Sequence, residues 1–295
     1  LINASVLGLI FEKINGYKEG SFFTPGFITM YMARETLRRA VVQKFNEQLD
    51  LGLEKFEELK AYTAKHFKPE YVLEFNSIIN ELKICDPAVG SGHFLVSCLN
   101  ELIAIKSELS ILADESGTPL PVSIDVENDD LNIFHRNGDP FEYSPKGEQS
   151  QLIQKTLFHE KQQLIEHCLF GVDINRNSAK ICRLRLWIEL LKNAYYREDS
   201  QMETLPNIDI NIKVGNSLIS RFPLDASMEN LLKRTQWDMQ DYLDAVRNYR
   251  HTLYRDEKKK IEDMLSEIKS DFQNEVSRHD LDYKERARLK GELYN

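Results

Sequence analysis

The stretch Asp86-Pro87-Ala88-Val89-Gly90-Ser91-Gly92-His93-Phe94-Leu95 carries the clearest chemical meaning in the sequence. It follows a short apolar strand pattern, Lys83-Ile84-Cys85-Asp86, and opens a helical stretch over 94–112. Glycines at 90 and 92 let a backbone turn lie against a ligand where a Cβ would clash. The spacing is G-x-G rather than G-x-G-x-x-G, and no Gly-Lys-Ser/Thr follows, which argues against dinucleotide and triphosphate loops. An ordinary tight turn does not account for the added Asp-Pro and Phe-Leu. A second apolar strand, Cys168-Leu169-Phe170-Gly171-Val172-Asp173, also ends on an acid. At the carboxyl end of a strand, beside a glycine-rich turn, an acid can accept both hydroxyls of a ribose. Capping the next helix is the alternative for Asp173, but Asn175 and Asn177 could cap equally well, which leaves Asp173 for a ligand.

These residues need elements to hold them. Apolar positions Val6, Leu9, Ile10 and Ile14 have helical spacing, and Asn15-Gly16 stops that helix. After Thr24-Pro25 a long helical stripe runs through Ile28, Tyr31, Met32, Leu37, Ala40 and Val41, and two helical pieces near 52–65 and 70–82 lead to the first strand. Thr24-Pro25 by itself reads as a helix cap with proline at the first position. Alternation over Val122–Val126 and Leu131–Phe134, with Asn137-Gly138 as the turn and Phe141–Tyr143 as the return strand, predicts an acidic β-meander. Helices over 150–167 and 176–194 bracket the Asp173 strand, and Ile208–Val214 is a third strand ending at Gly215-Asn216-Ser217. From 228 to 290 the chain is charge-rich helix, with a sparse stripe of Leu243, Val246, Tyr249, Leu253, Ile261, Leu265, Ile268 and Phe272. That pattern is read as a solvated helical hairpin in preference to a DNA-gripping surface.

Four segments in order resemble the cofactor half of DNA methyltransferases that modify adenine N6. Asp86–Leu95 resembles their S-adenosylmethionine loop, and Gly20-Ser21-Phe22-Phe23-Thr24-Pro25 resembles the element that touches the methionine end of the cofactor. Phe170–Ile174 resembles the strand whose acid holds the ribose, and Leu205–Leu218 the strand whose end borders the adenine. The wording is most similar to the methyltransferase part of fused type IIG restriction–modification enzymes and related phage-defence methyltransferases. Leu7-Gly8-Leu9-Ile10-Phe11-Glu12-Lys13-Ile14-Asn15-Gly16 and Arg183-Leu184-Arg185-Leu186-Trp187-Ile188 carry that likeness, although Trp187 is read as core packing. The resemblance implies a cofactor site of Phe23, Thr24, Pro25, Asp86, Pro87, Ala88, Gly90, Gly92, Phe94, Asp173, Ile174, Asn216 and Ser217. Asn216 stands where the wider family has aspartate; its amide oxygen can still accept from the adenine amino group. Ser217 contributes a hydroxyl or closes the turn.

The implied fold is α/β: a helical region over 1–82, a partial Rossmann-like methyltransferase sheet over 83–220 and the charged hairpin over 221–295. The span from Asp86 to Asp173 far exceeds a βαβ unit of roughly 30 residues. Residues 113–148 are therefore expected to be an inserted, protruding subdomain, dispensable for cofactor binding. The family's catalytic Asp/Asn/Ser-Pro-Pro-Tyr/Phe motif is absent, since none of the nine prolines are adjacent. With no initiator Met at its start, the sequence reads as the cofactor-binding portion of a longer enzyme, cut before its chemistry, with no catalytic residue of its own. Rival readings are a non-catalytic scaffold of the same fold and a methyltransferase acting on a substrate other than DNA.

Composition narrows the classes further. The 295 residues carry a net charge of −9, and 12 acidic against 4 basic residues between Ser107 and Glu166 nearly account for it. Duplex DNA is the expected partner of the parent enzyme, with weak or no binding by this chain alone. No apolar run is long enough to span a membrane, and no secretory signal pattern is present. Cys85, Cys98, Cys168 and Cys182 form no C-x-x-C pair, which excludes a zinc site made from cysteine alone. Buried, reduced thiols and a cytoplasmic location are expected.

Overall fold

The computed structural model describes residues 10–14, 24–197, 202–203, 211–219, 236–252 and 255–279. The chain divides into two units, Leu1–Ser217 and Leu218–Asn295. In the first, helices α1 (Gly26–Leu49), α2 (Phe56–Thr63) and α3 (Pro69–Asn80) lead to strand β1 (Ile84–Asp86) and helix α4 (His93–Glu108). The antiparallel pair β2 (Val122–Glu127) and β3 (Asp130–His135) follows, then α5 (Glu148–His167), β4 (Leu169–Asp173), α6 (Arg176–Leu191) and β5 (Ile212–Val214).

Among the described residues β1, β4 and β5 form one parallel sheet in that order. Asp86 lies beside Gly171, and Asp173 beside Val214, so the three carboxyl ends share one edge. This mixed arrangement is an α/β fold. It places the turns after β1, β4 and β5 together, as parallel strands joined through helices must. Of the expected third strand the described residues show Ile212–Val214 as β5, and 208–210 lie outside the described residues.

Helix α4 is the centre of the unit. It is buried on nearly every side, including Leu95, Leu99, Leu102 and Ile103, as a helix with apolar residues all round should be. Its buried polar positions each meet a partner. Ser97 Oγ donates to Asp129 Oδ1 at 2.7 Å, and Asn100 Nδ2 donates to the Asp129 carbonyl at 2.7 Å. Glu101 accepts from Arg38 Nε at 2.8 Å. Lys106 Nζ reaches Asn76, Asn80 and Glu160.

The insertion corrects two expectations. Its first turn is Asn128-Asp129, both at positive φ (52° and 66°), which is the two-residue geometry that matches strand twist. At Asn137-Gly138 the chain does turn, but the return is a single bridge between Phe134 and Pro140 rather than a strand over 141–143. Nor does the hairpin protrude. Ile124 and Leu120 join the core, and Asp129 is buried against α4. The turn instead fills polar positions beside the central helix.

In the second unit α7 (Met239–His251) and α8 (Arg255–His279) pack on each other. Tyr249 Oη donates to Glu262 Oε1 at 2.9 Å, and Asp238 caps α7 by accepting from Asp241 N. Leu243, expected in the apolar stripe, is exposed, while Ala245 is buried. Among the described residues no helix is long and apolar enough to cross a membrane.

Candidate functional site

The loop after β1 is built from local bonds. Asp86 Oδ1 accepts from Ala88 N at 3.0 Å, which turns the chain at Pro87. Gly90 and Gly92 then adopt φ of 54° and 86°, and Gly92 N donates to the Val89 carbonyl. A Cβ at Gly92 would stand 2.8 Å from Cys182 Sγ, so this glycine lets the loop lie against α6. The loop is also held from the neighbouring strand. Val89 N donates to the Val172 carbonyl, and Gly90 N donates to Asp173 Oδ2 at 2.8 Å.

Asp173 therefore has a role within the fold beside the one expected of it. Its other oxygen accepts from Asn175 N at 2.7 Å, while Asn175 caps α6 through Asn177 N and Ser178 N. Each carboxylate oxygen has a second lone pair, so Asp173 clamps the loop and keeps acceptor capacity. Beyond β5, Ser217 Oγ donates to the Pro87 carbonyl at 2.8 Å and ties the third loop to the first. Ile174 and Asn216 are exposed at the same edge.

A cavity of about 430 Å³ lies over the loop, lined by residues Asp86 to Ser91, His93, Phe94, Cys85, Glu12, Thr24, Thr29 and Met32. Its size falls within the roughly 300–1,000 Å³ of small-molecule sites. Asp86, Pro87, Ala88, Gly90 and Phe94 are thus brought together with Thr24, as anticipated. Asp173, Ile174, Asn216 and Ser217 stand at the strand ends beside it without lining it, and Gly92 lies under the loop. Phe23 lies outside the described residues. Thr24 does not cap α1: Pro25 occupies that position, with no side-chain cap bond, and Thr24 is exposed. Burial raises the Asp86 carboxyl above its usual range despite the bond from Ala88, and the charge of Asp173 adds to that rise.

Cys85 is exposed on the cavity wall, contrary to the expectation of four buried thiols. Burial pushes the other three up, Cys98 and Cys182 to about 12 and Cys168 to about 11. They remain protonated and inert at neutral pH.

Beneath the cavity lies a polar cluster that local patterning did not reveal. Ser91 Oγ donates to Glu12 Oε1 at 2.5 Å and receives Arg185 Nη1 at 3.2 Å. His93 stands between two carboxylates, with Nε2 3.0 Å from Glu12 and Nδ1 3.6 Å from Asp129. Arg185 is fully buried, and burial lowers its pKa, although Asp129 and Glu12 oppose that shift. Glu12 and Arg185 lie in the Leu7–Gly16 and Arg183–Ile188 runs, but only the fold brings them together at Ser91.

For His93, burial is the largest influence and lowers the pKa. Contacts with Asp129 and Glu12 outweigh both burial and the repulsion from Arg185, so the pKa is raised above 6.5. By linkage, the stabilisation from the imidazolium is fully present below the unfolded value of about 6.5 and is lost as pH rises through the higher folded value. Thermal melts of wild type and His93→Gln across this range should show the wild-type advantage declining with pH. A difference that does not vary with pH would show that the imidazole stays neutral.

A parallel sheet with a clamped glycine loop and a cavity at its carboxyl edge defines an α/β domain with a candidate small-molecule site. The comparison with known families is more specific: residues 61–294 match the family model described as the DNA-methyltransferase domain of MmeI, and the chain belongs to that family. A Methanocaldococcus jannaschii protein, named as a candidate type II restriction enzyme and methyltransferase, is 29% identical over 233 residues. That match covers 74% of this chain and 16% of the relative, so the chain spans about a sixth of the relative's length. No solved structure matches. The sequence resemblance to restriction–modification methyltransferases is thereby borne out. Among the described residues no group of three His, Cys, Asp or Glu side chains could hold a metal ion.

Proposed function

We propose that this chain is the S-adenosylmethionine-binding part of an enzyme that methylates adenine N6 in duplex DNA. The observation that carries the reading is the bond from Gly90 N to Asp173 Oδ2 at the rim of the cavity. It fixes a tight glycine loop against the acid of the adjacent strand, the arrangement in which nucleosides bind at the carboxyl edge of parallel sheets. Asp173 and Ile174 would hold the ribose, and Asn216 and Ser217 would border the adenine. Asp86 to Phe94 would cradle the centre of the cofactor, with Phe23, Thr24 and Pro25 at its methionine end. When bound, the cofactor supplies a methyl group on a sulfonium, activated towards a nucleophilic amine.

The chain's own residues bind and orient. Placing an adenine requires it to leave the stack and to be held by its amino edge. The Pro-Pro-aromatic motif that does this in the family does not occur in these 295 residues. The chain alone is expected to bind cofactor and to transfer no methyl group, because orientation supplies much of such a rate. With its net charge of −9 it should bind duplex DNA no more tightly than non-specific proteins, with a Kd of about 10⁻⁴–10⁻⁶ M. The reduced thiols suit a cytoplasmic enzyme.

Calorimetry with S-adenosylhomocysteine, the demethylated product, tests the site, and methyl incorporation into DNA tests the division of labour. Saturable heat without incorporation is the expected pair of results. Absence of heat from a folded chain would favour a scaffold of the same fold. Incorporation by this chain alone would show that other residues place the base.

A further inference from the structure

Among the described residues the ionisable groups that line the cavity are Glu12, Asp86, His93 and Cys85, with no lysine or arginine. The wall therefore favours a cation, and of its carboxylates Glu12 is the one held by two other side chains. Its side chain is 11% exposed, and Oε1 is gripped by Ser91 and His93. Oε2 accepts no hydrogen bond from any described residue and is not sealed from solvent. A carboxylate that is oriented, mostly dehydrated and unpaired on one side is a strong acceptor for an ammonium group.

Sheet order says which end of a ligand it would meet. β5 and β4 carry Asn216 and Asp173, the nucleoside side, while β1 and its loop lie on the other side, with Glu12 beside Ser91 and His93. A ligand with its nucleoside over β4 and β5 runs along the glycine loop and ends at Glu12. We propose that Glu12 receives the α-ammonium of an adenosyl amino acid, and that His93 and Asp129 are positioning residues that hold Glu12 in place. This rests on reading the cavity as an S-adenosylmethionine site. Asp129 acts from the hairpin turn: it faces His93 and is itself fixed by Ser97 and Asn100. The inserted hairpin thus becomes part of the binding site's support.

The test is a pair of ligands that differ at the amino-acid end. Calorimetry on the whole chain would compare S-adenosylhomocysteine with 5′-methylthioadenosine, which keeps the nucleoside and sulfur but lacks the amino acid. Glu12→Gln should weaken the homocysteine ligand by about ten- to 100-fold, the increment of a charge-assisted hydrogen bond, and leave methylthioadenosine within about twofold. Glu12→Asp should recover part of the loss. Asp129→Asn should shift the affinity ratio of the two ligands in the same direction, whereas a merely structural role would lower both equally. Melting curves identify any variant that is not folded. Equal loss of both ligands in Glu12→Gln, or no loss of either, overturns the proposal while leaving the nucleoside site standing. If wild type binds the two ligands equally tightly, the amino end is not recognised and the proposal falls. If wild type binds neither, the cofactor reading fails first and takes the proposal with it.

Discussion

Replacing Asp173 by alanine is expected to cut affinity for S-adenosylhomocysteine by at least ten- to 150-fold, a charge-assisted increment of about 1.5–3 kcal/mol. The lower figure counts only ribose bonds. The structure adds a second cost, because the same carboxylate accepts from Gly90 N and Asn175 N. Without it two backbone amides lose their acceptor and the loop loses its hold on β4. Asp173→Asn separates the contributions. Its one amide oxygen can serve one of the two N–H groups, while its NH₂ faces the other, so an intermediate loss is expected. Gly90→Val should abolish binding altogether. At φ of 54° a β-branched residue is strained, and the shifted backbone would carry its N–H away from Asp173. Calorimetry on variants whose melting curves confirm folding is the measurement. An unaffected Asp173→Ala would remove Asp173 from the site.

The largest stability effect is expected at Lys106, far from any ligand. This lysine is fully buried on the central helix, and its ammonium meets Asn76 Oδ1 at 2.9 Å, Asn80 Oδ1 at 2.7 Å and Glu160 Oε2 at 2.5 Å. Glu160 also receives Asn76 Nδ2 at 2.7 Å, so the lysine closes a network joining α3, α4 and α5. Lys106→Ala leaves a largely buried carboxylate without its countercharge and the Asn80 amide oxygen without its lysine donor. Removing one partner of a buried pair costs about 3–5 kcal/mol, which for a unit of this size lowers the melting midpoint by roughly 6–20 °C. The double change Lys106→Met with Glu160→Leu removes both charges and should recover most of that loss. If Lys106→Ala melts within a degree or two of wild type, the network contributes nothing to stability.

What could be read from the chain was whatever is written locally. The glycine loop, the acid closing a buried strand, the helices around them and their order are carried by contiguous residues. Periodicity and turn chemistry act over a few positions, so β1, the helix at His93, β4 and the helix at Arg176 fall close to where the patterns put them. The family itself was legible for the same reason, since its motifs are short runs.

Other features needed distant residues to meet. Ser91 and Glu12 are 79 positions apart, Ser91 and Arg185 are 94 apart, and Ser97 and Asp129 are 32 apart. Nothing in a local window distinguishes Arg185, on a helix rich in arginine and leucine, from a solvated residue. The Asn137-Gly138 pair gave the stronger turn signal, yet Asn128-Asp129 became the tight hairpin, where Asp129 accepts from Ser97 through its carboxylate and from Asn100 through its carbonyl. Cys85 looked buried among apolar neighbours, but its place on β1, at the margin of the described sheet, leaves it exposed to the cavity. Sequence by itself determined the secondary elements and the residues at the strand ends, because those depend on backbone geometry and short-range alternation. Tertiary structure alone decided which charges share a dehydrated space, and hence that Asp173 clamps the loop and Glu12 lines the cavity.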